Sequence, residues 1–127
     1  MGLRKEGALK ITMAIIGLCA LLWSGSWGLA QTSPGDPKNG QALYQRHCLR
    51  CHGEALDGKG PDAAALKISP TNFHSYASRI KDNLEFWMTV QRGRSFSAMH
   101  NWNATLTDDQ IKDVVSYIRT IVPHAKP

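Results

Sequence analysis

Three cysteines in 127 residues are too few for a disulfide-stapled secreted scaffold, and Cys19 lies in an apolar N-terminal run, leaving only Cys48 and Cys51 for a folded body. The same scarcity argues against a structural zinc site, because no second cysteine pair exists and His47, His74, His100 and His124 are scattered. The formal charge is +5, yet no basic run or aromatic ladder is present, which argues against nucleic acid as a partner. No stretch alternates apolar and polar residues between turn signals, and no internal repeat is visible, so neither a sheet nor a solenoid is expected. No acid–base pair or nucleophile arrangement stands out, which argues against an independent catalytic enzyme.

What the chain does have begins with an export address. Arg4, Lys5 and Lys10 form a basic segment, Ile11 to Trp23 is uninterruptedly apolar, and Gly28 and Ala30 are the small residues of a cleavage site before Gln31. Residues 1–30 are therefore expected to be a signal peptide and 31–127 the folded domain. An uncleaved N-terminal anchor is the rival, since the apolar run approaches a membrane span, although Ser24, Gly25 and Ser26 interrupt it. Either way the domain is expected outside the cytoplasm, in the periplasm, with membrane attachment only if the leader stays. Lipid attachment at Cys19 is disfavoured by bulky Leu18. Removing the leader leaves about 97 residues with 12 basic and 9 acidic side chains. That length is marginal for a polypeptide core alone, and a large apolar cofactor would fill the gap.

Helical signals dominate the domain. Asp36 is suited to cap a helix with Pro37 at its first position, running through Gly40, Leu43 and Tyr44 toward Cys48. The segment from Gly53 to about Phe73 is rich in Gly, Pro and Asp and reads as a loop, with at most one helical turn near Ala63 to Lys67. A loop that long becomes reasonable when it wraps a cofactor. Residues 83–92 carry Leu84, Trp87, Met88 and Gln91 at helical spacing and stop at Gly93. Ser95 to Trp102 reads as a second loop. In the last helix Thr107 with Gln110 forms a capping box, Leu106 can staple onto Ile111, and Pro123 marks the end. Ile111, Val114, Val115, Ile118, Ile121 and Val122 make its apolar stripe, bordered by Tyr117. The fold class is expected to be all-α.

The chemistry is concentrated in Cys48-Leu49-Arg50-Cys51-His52, the C-x-x-C-H sequence of covalent haem attachment. Two thiols three positions apart at a helix end can each add to one of the two vinyl groups of a haem, which sets the adjacent imidazole under the iron. A thioredoxin-like dithiol is the alternative, but it belongs beside a βαβ pattern that is absent here. One covalently attached haem c is therefore expected, with His52 as the proximal metal ligand. For the distal ligand Met99 is favoured, because it lies in a loop where a thioether can be aimed without disturbing a helical face, and because Met/His ligation is common in cytochromes c. His100 is the competitor, and an open site is a third possibility. Met88 reads as helix packing.

These residues together resemble the class I cytochrome c family over essentially the whole chain after the leader. Gly40 and Tyr44 are similar to the glycine and aromatic of the family's first helix, and Tyr117 to the aromatic of its last. The resemblance implies a small cytochrome c fold, a few helices and long loops around one covalently bound haem, with these two helices in close contact. It further implies that the Pro61 carbonyl, in Gly58-Lys59-Gly60-Pro61, accepts a hydrogen bond from the proximal histidine, and that Leu66 and Phe73 cover the haem. Trp102 resembles an aromatic whose N–H can hold a propionate. One departure is that His100 follows Met99 where relatives commonly have proline. The resemblance implies an electron carrier, not an enzyme, exchanging single electrons with redox partners: a donor dehydrogenase or complex and an acceptor oxidase or reductase. A haem subunit of a larger oxidoreductase, or a haem gas sensor or peroxidase, are the alternatives.

Overall fold

The structure is a computed structural model and describes residues 34–125. The expected leader at residues 1–30 lies outside the described residues. The first helix, α1 (Pro37–His47), starts where Asp36 accepts hydrogen bonds from the backbone N–H groups of Lys38 and Asn39, with Pro37 occupying a position that needs no donor. It buries Gly40, Leu43 and Tyr44 and ends at Cys48. The chain then makes a single further turn, α2 (Leu49–His52), in which the Cys48 carbonyl accepts from the N–H groups of both Cys51 and His52. Gly53, at φ +81°, stops it.

The following loop is tied back onto α2 rather than left free. Gly58, Gly60 and Asp62 donate their N–H groups to the carbonyls of His52, Cys51 and Arg50. A 3-10 turn spans Ala63–Ala65, within the stretch where one was expected. A short helix that local signals did not reveal, α3 (Tyr76–Arg79), is capped by Ser75. Next come α4 (Asn83–Arg92), capped by Asp82, and α5 (Asp108–Ile121), whose Thr107–Gln110 capping box forms as expected. The described residues contain no strand, so the fold is all-α.

The core is the crossing of α1 on α5. A Cβ on Gly40 would collide with the Asp113 backbone carbonyl, so only glycine permits this approach. Asp113 secures the joint from its side chain, accepting from the Asp36 N–H and from the Asn39 amide, both at 2.7 Å. The Tyr44 and Tyr117 rings meet with centroids 5.4 Å apart. Leu106, Ile111, Val114, Val115, Ile118 and Val122 are buried, each contributing about 1.5–3 kcal/mol of transfer free energy. Ile121 departs from the expected stripe at 45% exposure, whereas Ile118 and Val122, four residues apart on one face, are both buried.

The second departure is the buried face of α4. Leu84, expected to point inward, is 62% exposed, while Phe86 and Val90 are buried. Two overlapping helical stripes compete in this segment, and tertiary contacts select between them. Phe86 packs on Phe73 at 5.4 Å and takes the Arg119 guanidinium over its ring at 4.8 Å. Trp87, half-buried, donates its indole N–H to the Asp108 carbonyl. The inward rotation of Phe86 and Val90 provides one wall of the site.

Candidate functional site

One cavity of about 570 Å³ gathers the chemistry-bearing residues, a size within the usual range for a cofactor pocket. Cys48, Cys51 and His52 line it from the α1–α2 junction, and Met99 and His100 line it from the loop after α4. Leu66, Phe73, Phe86 and Val90 give it an apolar wall. Met88, half-buried on α4, is not among the lining residues.

Each sulfur and nitrogen is held by local structure. Tyr44, buried in α1, donates its hydroxyl to the Gly53 carbonyl at 2.7 Å and so pins the exit of α2. Burial pushes the Tyr44 hydroxyl up from its ordinary value. Arg50, between the two cysteines, makes a two-pronged pair with Asp62 at 2.7 and 2.8 Å, fastening the motif to the loop. Burial, and then the neighbouring Cys51, push the Cys48 thiol up to about 12, so before any covalent change the site holds it as a neutral thiol.

His52 stacks on Phe73, with centroids 4.8 Å apart and planes 21° from parallel. Burial lowers its pKa, and a backbone contact to Thr71 works in the opposite direction. Nδ1 lies 3.4 Å from the Thr71 carbonyl, an acceptor, so the ring proton belongs on Nδ1 and Nε2 keeps a lone pair with which it could bind a metal. This partner corrects the one implied by resemblance: the Thr71 carbonyl, not that of exposed Pro61, faces the imidazole. The loop hydrogen bonds that draw Gly60 and Asp62 onto α2 leave Pro61 at the surface, while the stretch after Pro70 returns beneath the ring.

Met99 is half-buried and packs on the core, whereas His100 is exposed, with its ring 4.2 Å from that of Trp102. The Met99 carbonyl accepts from Arg94 N–H at 2.8 Å, and its N–H donates to Ser97 Oγ at 3.2 Å. Gly93 carries φ +70°, and a Cβ there would sit 2.5 Å from the Met99 carbonyl oxygen. The turn out of α4 and the seat of Met99 therefore depend on the same glycine.

Trp102 is buried, and its Nε1 is the one buried side-chain donor among the described residues without a partner. An unpaired buried N–H costs about 1–3 kcal/mol, so this orphan donor on the cavity wall marks a place for an acceptor that a bound group would bring. Two thiols, an imidazole nitrogen, a thioether, apolar walls and one free donor fit a haem with its two vinyl groups, its iron and a carboxylate. Thr71, Phe86 and Val90 escaped sequence reasoning, since nothing in their immediate neighbourhood marks them. Their place is set by chain segments distant in sequence.

Comparison with known proteins agrees with this geometry. The family model for cytochrome c matches residues 37–121, and the chain belongs to the cytochrome c family as a class I c-type cytochrome carrying covalently attached haem c. It is 29% identical over 109 residues to cytochrome c6 of Gloeothece citriformis, covering 86% of this chain and 91% of the relative. It is 27% identical over 84 residues to cytochrome c-555 of Prosthecochloris aestuarii, covering 65% and 85% respectively. Among solved structures, a reducing HAO-like protein complex of Kuenenia stuttgartiensis shares the fold with a TM-score of 0.61 at 23% identity, over 70% of this chain and 44% of that one. The protein is thus an electron-transfer haem protein. No helix among the described residues is long and apolar enough to cross a membrane.

Proposed function

We propose that the protein is an exported mono-haem carrier of single electrons, working in the periplasm between a donor dehydrogenase or complex and an acceptor oxidase or reductase. Cys48 and Cys51 are the thioether attachment points, and His52 and Met99 the axial ligands. The observation that carries this assignment is that Cys48, Cys51, His52 and Met99 line one cavity from two separate segments, while Met88 does not. Haem, when bound, supplies the one-electron couple.

The chain supplies the rest. The Thr71 carbonyl orients His52 and increases its basicity through the Nδ1 proton. The Met99 thioether is a weaker donor than an imidazole and favours the reduced metal, giving a high-potential couple. With His52 and Met99 both holding the iron, no position would remain for oxygen or peroxide, which would separate a carrier from a gas sensor or a peroxidase. Phe73, Phe86 and Val90 exclude water from the site. Residues 1–30 act as a cleaved export signal, to be checked by mass spectrometry of the mature chain.

The test is a reduced-minus-oxidised optical spectrum of protein matured with haem, followed by the same measurement on Met99→Ala. The expected result is a c-type spectrum with the weak far-red band of methionine bound to ferric iron, a band that Met99→Ala loses together with a fall in potential. Rapid carbon monoxide binding by the ferrous wild-type protein, or a Met99→Ala variant that keeps the band, would overturn the ligand assignment.

A further inference from the structure

Arg119, in the last turn of α5, is half-buried and holds its guanidinium carbon 4.8 Å from the centre of the Phe86 ring. A cation over an aromatic face is attracted by the negative charge of the ring's π system. Two hydrogen bonds fix the fork: Nε donates to Asn83 Oδ1 at 3.1 Å, and Nη2 donates to the Lys81 carbonyl. Both acceptors are neutral. No ion pair among the described residues includes Arg119; Lys81 pairs with Glu85, and Asp82 caps α4 by accepting from the Glu85 N–H. His124, whose Nε2 lies 3.1 Å from the same Asn83 oxygen, brings no negative charge. Burial works against the charged guanidinium and Asp82 favours it from beyond ion-pair range, but an arginine keeps its proton in either case.

From Phe86 the ring contacts continue to the imidazole. Phe86 packs on Phe73 at 5.4 Å, and Phe73 stacks on His52 at 4.8 Å. Both phenyl rings are buried and line the cavity, whereas Arg119 does not line it. A positive charge without a carboxylate partner therefore stands outside the pocket, with two buried apolar rings between it and His52. Such a medium weakens a charge interaction far less than water does.

We infer that Arg119 is a positioning residue for the proximal side: it clamps the stack of Phe86, Phe73 and His52 and sets behind it a fixed positive charge that raises the reduction potential. This role deepens the carrier function proposed above and rests on His52 holding the iron. Loss of an electron adds positive charge at the metal, and a fixed cation nearby disfavours that state. The two hydrogen bonds matter because a free side chain would carry its charge out into water. Partial exposure of the guanidinium admits some screening by salt, so the effect is modest.

The test is voltammetry of the haem-loaded protein at about pH 8.5, above the ordinary histidine range, on wild type and three variants. Arg119→Met removes the charge and keeps an apolar side chain over Phe86; its midpoint falls by about a threefold change in the equilibrium, about 30 mV at 59 mV per tenfold. Arg119→Lys, which keeps the charge without the planar fork, retains most of the wild-type midpoint. Asn83→Asp turns the neutral oxygen facing the guanidinium into a carboxylate of the same shape, and so asks whether charge at this spot reaches the metal while the clamp stays. Its midpoint falls as in Arg119→Met, yet its thermal midpoint equals or exceeds wild type, since an acid in the first turn of a helix is favourable. Arg119→Met melts lower than wild type. The far-red methionine band is kept in all three, because neither substituted position lines the cavity. A potential that merely follows stability, falling in Arg119→Met and unchanged in Asn83→Asp, overturns the inference and leaves Arg119 a packing residue. So do unchanged midpoints in both, or a lysine variant as low as the methionine one. A wild-type protein without a reversible one-electron couple would instead overturn the carrier assignment, whatever Arg119 does.

Discussion

Gly40→Ala isolates the contact on which the fold depends. The added methyl collides with the Asp113 carbonyl and comes within 3.0 Å of the Tyr117 Cβ. Relief to ordinary carbon contact, about 3.5–4.0 Å, requires α1 and α5 to part by about 1 Å or more. Overpacking of this kind costs roughly 1–3 kcal/mol. The same movement carries the two 2.7 Å hydrogen bonds to the Asp113 carboxylate beyond useful range, losing about 0.5–1 kcal/mol each at an exposed site. Against this, alanine is about 1 kcal/mol better than glycine in a helix interior. The net is a loss of about 3 kcal/mol, which for a domain of this size lowers the melting temperature by roughly 12–24 °C. Thermal unfolding of the ferric protein followed by circular dichroism reads this directly, and the far-red methionine band at low temperature should be unchanged, because the crossing lies away from Met99. A variant melting within about 2 °C of wild type would show that the helices tolerate the methyl and would refute the close-approach argument.

Three further outcomes follow from the site. Gly93→Ala forces a side chain onto φ +70° and against the Met99 carbonyl, so it should weaken the far-red band as well as lower stability; a fully retained band would show that the two are not coupled. Trp102→Phe should lower the potential by removing a donor to a haem carboxylate, and an unchanged voltammetric midpoint would mean that the indole N–H stays unpaired. The Arg50 guanidinium holds the Asp62 carboxyl below its ordinary value, chiefly through the side-chain hydrogen bonds. Whatever stability this surface pair contributes is present above the unfolded carboxyl's pKa and fades as pH falls through the lowered folded value. In an NMR titration Arg50→Gln should return Asp62 toward the usual carboxylate range, and no change would assign the shift to something else.

How much of this was legible in the residues depended on how far each signal reaches along the chain. The boundaries of α1, α4 and α5 rest on caps a few residues long, Asp36 with Pro37, Gly93, and Thr107 with Gln110, and these survive intact because a cap is satisfied by its own neighbours. The C-x-x-C-H motif is equally local, and so is the loop character of the Met99 segment. The short helix α3 was not visible because four residues carry no period; Ser75 caps it locally, but its place against the chain comes from the C-terminal segment, where Arg79 donates to the Pro123 carbonyl and accepts from Ala125 N–H.

The buried face of α4 and the identity of the His52 partner were lost for one shared reason. Leu84 and Phe86 are both acceptable inward residues by period alone, and Pro61 and Thr71 both offer a carbonyl within the same loop. What decides each pair is Phe73, which stacks on His52 on one side and packs on Phe86 on the other. Its position is fixed in turn by its N–H donating to the carbonyl of Leu56, a fully buried residue held at φ +58°. A left-handed leucine has no signature in sequence, yet its carbonyl holds the segment whose ring stacks on the imidazole and packs against Phe86 of α4. The motif announces the chemistry, and the loop that follows it determines where the surrounding walls stand.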